Sequence, residues 1–204
     1  DEAQATANEV HRLAEDLAND GLRCLGSYMV GYDDLWSGRV GLGGCRIEEA
    51  IDLYDPERDA WLVPALGQGV GPEALAWGAL ATLYRGRPAT AYRMADRGIE
   101  LARRMGHPFS LCHALDIGGV VVPVMAGDHA TGLRCAEEAA GIAAEEHFRF
   151  WSPGVDLHRG MAIGHLGDPD EGIRLMEASL SAWEAMGVRA FGGWARSQLA
   201  SLEG

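Results

Sequence analysis

The 204-residue chain contains no lysine, so all 17 of its basic side chains are arginine. That absence removes the phosphate-loop lysine, the Schiff-base lysine and the kinase-type phosphate-pairing lysine together. Against the 17 arginines stand 30 carboxylates, a net charge of −13 that repels a phosphate backbone and argues against nucleic acid as a partner. Long apolar runs are also missing. The longest, Ile117 to Ala126, contains Gly and Pro and is too short to span a bilayer, so no membrane association is expected. The chain opens Asp1-Glu2-Ala3 with neither a start Met nor an apolar leader, and the expectation is a piece of a larger cytoplasmic protein. Cys24, Cys45, Cys112 and Cys135 form no CxxC and read as reduced, small, mostly core residues.

Catalytic and cofactor motifs are equally scarce. There is no HExxH and no GxSxG, and Cys112 and His113 are neighbours whose side chains diverge. Gly41-Leu42-Gly43-Gly44 and Gly67-Gln68-Gly69-Val70-Gly71 follow no strand and do not fit GxGxxG. His158 and His165 share a helical face, but seven residues at 1.5 Å rise put them about 10.5 Å apart, too far to share one metal. No catalytic residue, metal or cofactor is therefore expected. The adjacent carboxylates Asp33-Asp34, Glu48-Glu49, Glu137-Glu138 and Glu145-Glu146 diverge by about 100° on a helix and read as solvated faces. Asp34 stands out among them as one turn from a row of aromatics. The arginines at 85, 87, 93, 97, 103 and 104 are interleaved with Asp96 and Glu100 and read as an outer helix laced with ion pairs.

What is present is an internal repeat. Leu35-Trp36-Ser37-Gly38, Leu83-Tyr84-Arg85-Gly86, Val124-Met125-Ala126-Gly127 and Gly164-His165-Leu166-Gly167 each close one helical pattern ahead of another. Their glycines are spaced by 48, 41 and 40 residues. Five residues beyond each stands Gly43, Ala91, Gly132 or Gly172, and twelve beyond stands Ala50, Gly98, Ala139 or Ser179. Small residues at fixed offsets let two helices approach closely. Asp168-Pro169-Asp170-Glu171 reads as an N-cap, an N1 proline and a capping box, and Met105-Gly106 and Met186-Gly187 read as left-handed C-caps. The pattern predicts helices over 3–18, 22–36, 41–54, 73–85, 88–104, 109–126, 129–146, 153–166, 169–186 and 189–202, joined at 55–72 by the longest connection. Pro123 should kink its helix or end it early. An all-α solenoid of antiparallel helix pairs follows, a single helical-repeat domain over 1–204 with repeats near 22–56, 72–105, 109–146 and 153–187 and partial repeats at both ends.

The glycine followed by small residues five and twelve positions later resembles the tetratricopeptide pattern. With each glycine at position 15 of a 34-residue repeat, position 8 holds Gly31, Ala79, Val120 and Gly160, while the large aromatic usual at position 4 is absent, as in a divergent repeat. The strings Ala50-Ile51-Asp52-Leu53-Tyr54-Asp55-Pro56-Glu57-Arg58, Met105-Gly106-His107-Pro108-Phe109-Ser110-Leu111 and Asp170-Glu171-Gly172-Ile173 are similar to the C-terminal repeats of bacterial multidomain regulators. Those proteins join a cyclase, kinase or DNA-binding domain to an ATPase module and then to such repeats, in signalling and transcription regulation. The chain departs from them at Trp151-Ser152-Pro153-Gly154. The resemblance implies a non-enzymatic regulatory segment that binds a protein partner or a neighbouring domain of its parent, or else senses a small-molecule effector.

In such repeats the first helix of each pair lines the concave face. Projected there are Tyr28, Tyr32 and Trp36, then Trp77, Leu80 and Tyr84, then Ile117, Val121 and Met125, and finally His158, Met161 and His165. Packing between repeats and a binding groove are both open to these residues. Helices 3–18 and 189–202 would be half-repeats with uncapped apolar faces, through which isolated chains could associate end to end.

Overall fold

The computed structural model describes residues 2–189 and 192–203. Every regular element among them is helical: α1 (Glu2–Asp16), α2 (Asp20–Trp36), α3 (Val40–Leu53), α4 (Leu62–Leu66), α5 (Val70–Tyr84), α6 (Pro88–Met105) and α7 (Pro108–His113). A π-helix (Ala114–Val121) comes next, followed by α8 (Val122–Met125), α9 (His129–Glu145), α10 (Ser152–His165), α11 (Pro169–Ala185) and α12 (Gly192–Glu203). They gather into two compact units, Asp1–Ala114 and Leu115–Gly204.

Helix starts follow the capping logic of the sequence. The side chains of Asn19, Asp128 and Asp168 accept from the backbone N–H three residues on, and His107 Nδ1 does the same for Ser110. Glu171 does not complete the expected capping box in return, because Arg174 holds its carboxylate at 2.8 Å and 2.5 Å. Each repeat glycine, Gly38, Gly86, Gly127 and Gly167, sits just past a first helix at positive φ, between 74° and 111°, and Gly106 and Gly187 close the second helices likewise. Ala18 and His147 occupy the same left-handed conformation without the freedom of a glycine.

Within unit 1, α2 packs on α3, and α5 packs on α6, as antiparallel pairs. A Cβ on Gly31 would stand 2.9 Å from the carbonyl oxygen of Gly43, and one on Gly43 2.6 Å from that of Gly31. The matching pair in the next repeat, Ala79 and Ala91, is fully buried. Cys24 Sγ donates to the carbonyl of Ala50 across the first pair, and burial pushes the thiol up to about 12. The connection expected over 55–72 is more ordered than a loop. Asp55 Oδ1 accepts from the N–H groups of Glu57 and Arg58, buried Asp59 holds the Arg58 guanidinium at 2.7 Å, and α4 forms behind Leu62. Helix α5 starts three residues before the expected position, where Pro72 falls in a first turn that has no use for its N–H.

Unit 2 repeats the scheme with α10 on α11: a Cβ on Gly160 would lie 2.8 Å from the carbonyl oxygen of Gly172, and the reverse contact is 2.7 Å. Val120, Val124, Leu157, Met161, Met176, Leu180 and Trp183 form its core. Pro123 neither ends nor breaks the helix predicted over 109–126. The backbone widens into the π-helix just upstream, which accommodates a residue that lacks an N–H and crowds the carbonyl four positions back. The stretch Pro108–Met125 is the one described helix long and apolar enough to cross a bilayer, and 78% of it is buried inside the fold. All four cysteines are free, and Cys45 is exposed on α3 rather than in the core.

Two glycine substitutions should separate packing from propensity. Gly172→Ala drives a methyl into a backbone carbonyl that cannot rotate away and should cost about 3 kcal/mol, the upper end for overpacking. Gly141→Ala, in a helix interior with nothing within 4 Å of the new methyl, should gain about 0.5–1 kcal/mol. Urea unfolding of both variants checks the pair.

Candidate functional site

Helix α2 carries Tyr28, Tyr32 and Trp36 four residues apart, so one face presents three rings in a column. Tyr28 and Tyr32 have centroids 6.1 Å apart, and Tyr32 and Trp36 6.2 Å. Trp77 of α5 meets this column edge-to-face, 5.0 Å from Tyr32 and 5.6 Å from Trp36. Its other side faces His113 of α7 at 5.9 Å, and His113 stacks in turn on Phe109 at 6.3 Å. Such contacts contribute about 0.5–1.5 kcal/mol each beyond area burial.

A buried acid anchors the stack. Glu73, 3% exposed, accepts from Tyr28 Oη at 3.1 Å through Oε2, and its Oε1 lies 2.9 Å from His113 Nδ1. Burial and the Glu73 charge together raise the Tyr28 phenol well above its usual range, and the same two causes in that order raise Tyr32. Glu73 is the only charged side chain of α5. Toward the other end the stack opens: Trp77 is 4% exposed, but Trp36 is 38% exposed, and Tyr84, at the end of α5, is 44% exposed. Trp36 and Tyr84 end α2 and α5 at the same repeat position, and Leu80, one turn back, is buried.

Asp34, one turn from the rings, is buried and takes Arg39 Nε at 2.8 Å and Arg46 Nε at 3.4 Å, an ion-paired link from α2 to α3. In unit 2 the projected residues have other surroundings. Ile117, Val121 and Met161 are buried, and Met125 packs on the core. His158 Nδ1 lies 2.7 Å from Asp116 Oδ1. His165 stacks on His129 with centroids 4.6 Å apart, and burial first, then His165, lowers the His129 pKa. The two histidines of α10 thus face different partners, and no group of three metal-ligating side chains occurs among the described residues.

Sequence reasoning passed over Glu73 and Asp116, and weighed His113 only as the neighbour of Cys112. A signal was available. Glu73 is the lone charge in α5, and Asp116 the lone carboxylate between Pro108 and Met125. A single carboxylate in an otherwise apolar helix has to be paired or unusually placed.

No family model matches this chain, and no curated protein matches it. Among solved structures it is similar to the nearly identical tetratricopeptide-like repeats of a candidate kinesin light chain from Podosopora anserina. Identity is 12%, with 89% of this chain and 95% of that chain covered and a TM-score of 0.57. That likeness shows the fold, an all-α solenoid of tetratricopeptide-like helix pairs.

Tyr28→Phe should cost about 1–3 kcal/mol, because it strips a buried carboxylate oxygen of its donor. Alkaline pH should destabilise the protein. The unfolded thiol and phenols ionise at about 8.5 and 10, whereas burial holds Cys24 and Tyr54 at about 12 and Tyr28 well above its usual range. Above those unfolded values the native state binds more protons than the unfolded chain, so stability falls as pH rises. Unfolding midpoints between pH 7 and 11, with phenolate absorbance followed in parallel, test this.

Proposed function

We propose that the chain is a non-enzymatic interaction and regulatory segment of a cytoplasmic bacterial multidomain regulator. It binds a protein partner, or a neighbouring domain of its parent, through the aromatic lip of unit 1. The observation that carries this reading is a change in exposure toward one end of the helices: Glu73 and Trp77 are buried, while Trp36 at the end of α2 and Tyr84 at the matching end of α5 stand 38% and 44% exposed. Rigid aromatics on a buried, hydrogen-bonded root lose little freedom on docking, which is the profile of a binding anchor. Tetratricopeptide-like repeats commonly serve protein–protein interaction, although fold alone does not assign function.

The effector-sensing alternative places a small molecule between the Tyr28–Trp36 and Trp77–Tyr84 walls. A flat guest needs roughly 7 Å between such walls, twice a contact distance of about 3.5 Å. Tyr32 and Trp77 stand 5.0 Å apart and Trp36 and Trp77 5.6 Å, so the rings already fill that space. The geometry therefore favours a partner that covers the lip over one that enters the stack.

Replacing both Trp36 and Tyr84 by Ala should weaken partner binding by at least about 30-fold, as loss of a 2 kcal/mol hot spot does. Proteins co-purifying from the source cells with the native chain would be compared with those retained by the double variant. If every one is retained equally, the lip is not the binding surface.

A further inference from the structure

Asp116 lies in the first turn of the π-helix and is fully buried. Its Oδ1 stands 2.7 Å from His158 Nδ1, while its Oδ2 is buried without a hydrogen-bond partner. A carboxylate at that distance accepts, so Nδ1 carries a proton, and in the Nδ1–H tautomer Nε2 keeps its lone pair. His158 is 7% exposed, and no hydrogen bond of its Nε2 occurs among the described residues. The indole of Trp194 lies against the same imidazole, 5.5 Å between centroids and 74° between planes.

We propose that His158 is a ligand-anchoring residue of unit 2 whose Nε2, beside the Trp194 indole and backed by Asp116, accepts a hydrogen bond from a primary ammonium group. Each part of the arrangement selects for that class. A bare lone pair requires a donor. A carboxylate with one oxygen unpartnered makes the local potential negative and disfavours anions. An indole attracts cations to its face. The second-residue device is the one metal sites use, in which a carboxylate fixes the tautomer and orientation of an imidazole. Here a single nitrogen without further ligands makes no metal site. The site lies in unit 2 and does not depend on the aromatic lip of unit 1.

The test uses the full chain, labelled with 15N, at pH 7.5. Long-range 1H–15N spectra should show His158 as the Nδ1–H tautomer. The probe is 2-phenylethylammonium chloride, which should shift the Nε2 resonance saturably, whereas its anionic counterpart 3-phenylpropionate should not over the same range. An N-terminally acetylated, lysine-containing tripeptide amide and its Nε-acetyl form distinguish the source of the ammonium. A response to the free amine alone indicates a small metabolite, and a response to the unacetylated peptide indicates a lysine of a partner protein. Trp194→Ala, which keeps the His158 resonance, should weaken whichever response is seen at least tenfold. Finding the Nε2–H tautomer, an equal response to amine and carboxylate, or no response to either ammonium source overturns the proposal, and none of these results requires a variant that folds.

Discussion

Everything else in this fold depends on two helices being able to touch backbone to backbone. At Gly31 and Gly43, and again at Gly160 and Gly172, each residue would place a Cβ within 3 Å of the other's carbonyl oxygen. Distances of that kind leave no room for a side chain and set the helix separation for the whole pair. Once the separation is set, the rings and aliphatic groups on either side can fill the space left between pairs. In unit 1 that filling is the ring column and Trp77, and in unit 2 it is Leu157, Met161 and Met176. The left-handed glycines that end the first helices serve the same constraint, since the chain must reverse within a few residues for the crossing to fall at those points.

The helix pairs were legible in the sequence because the constraint acts on residue size at fixed spacing, and size survives in a single sequence. The offset between Gly160 and Gly172 carries the same information as the contact itself. What could not be read was local accommodation. Nothing in Ala114–Val121 announces a π-helix, because its cause is a proline two residues beyond, and propensity treats that proline only as a breaker. The order around Asp59 was missed for a related reason. Asp-Pro and repeated glycines mark a connection, but a carboxylate that folds back on its own neighbours is a tertiary fact.

The candidate site was legible by halves. Tyr28, Tyr32 and Trp36 at a spacing of four announce a shared face, and the structure brings them against Trp77. Their root was hidden, since Glu73 and His113 are 40 residues apart and only the fold makes them neighbours. Projection onto repeat positions treated the second half of the chain like the first. Yet Val121 and Met161 are buried, and His158 is held by an acid that no repeat rule names. Polar pairs of this kind are costly to form and costlier to break, so they specify one arrangement more than they strengthen it.

Helix α5 has apolar or buried residues on every face from Val70 to Thr82, with α2, α3, α6 and α7 around it. An amphipathic helix that loses a neighbour still has a wet side to fall back on; this one has none. Repeat proteins are commonly shortened or lengthened by whole repeats, but a cut between α3 and α5, or between α5 and α6, would leave a cylinder of Ala, Leu, Val and Trp facing water. For anyone dissecting the chain, α2 through α6 form an indivisible block, and the repeat boundary drawn on the sequence is not a place where the protein can be divided.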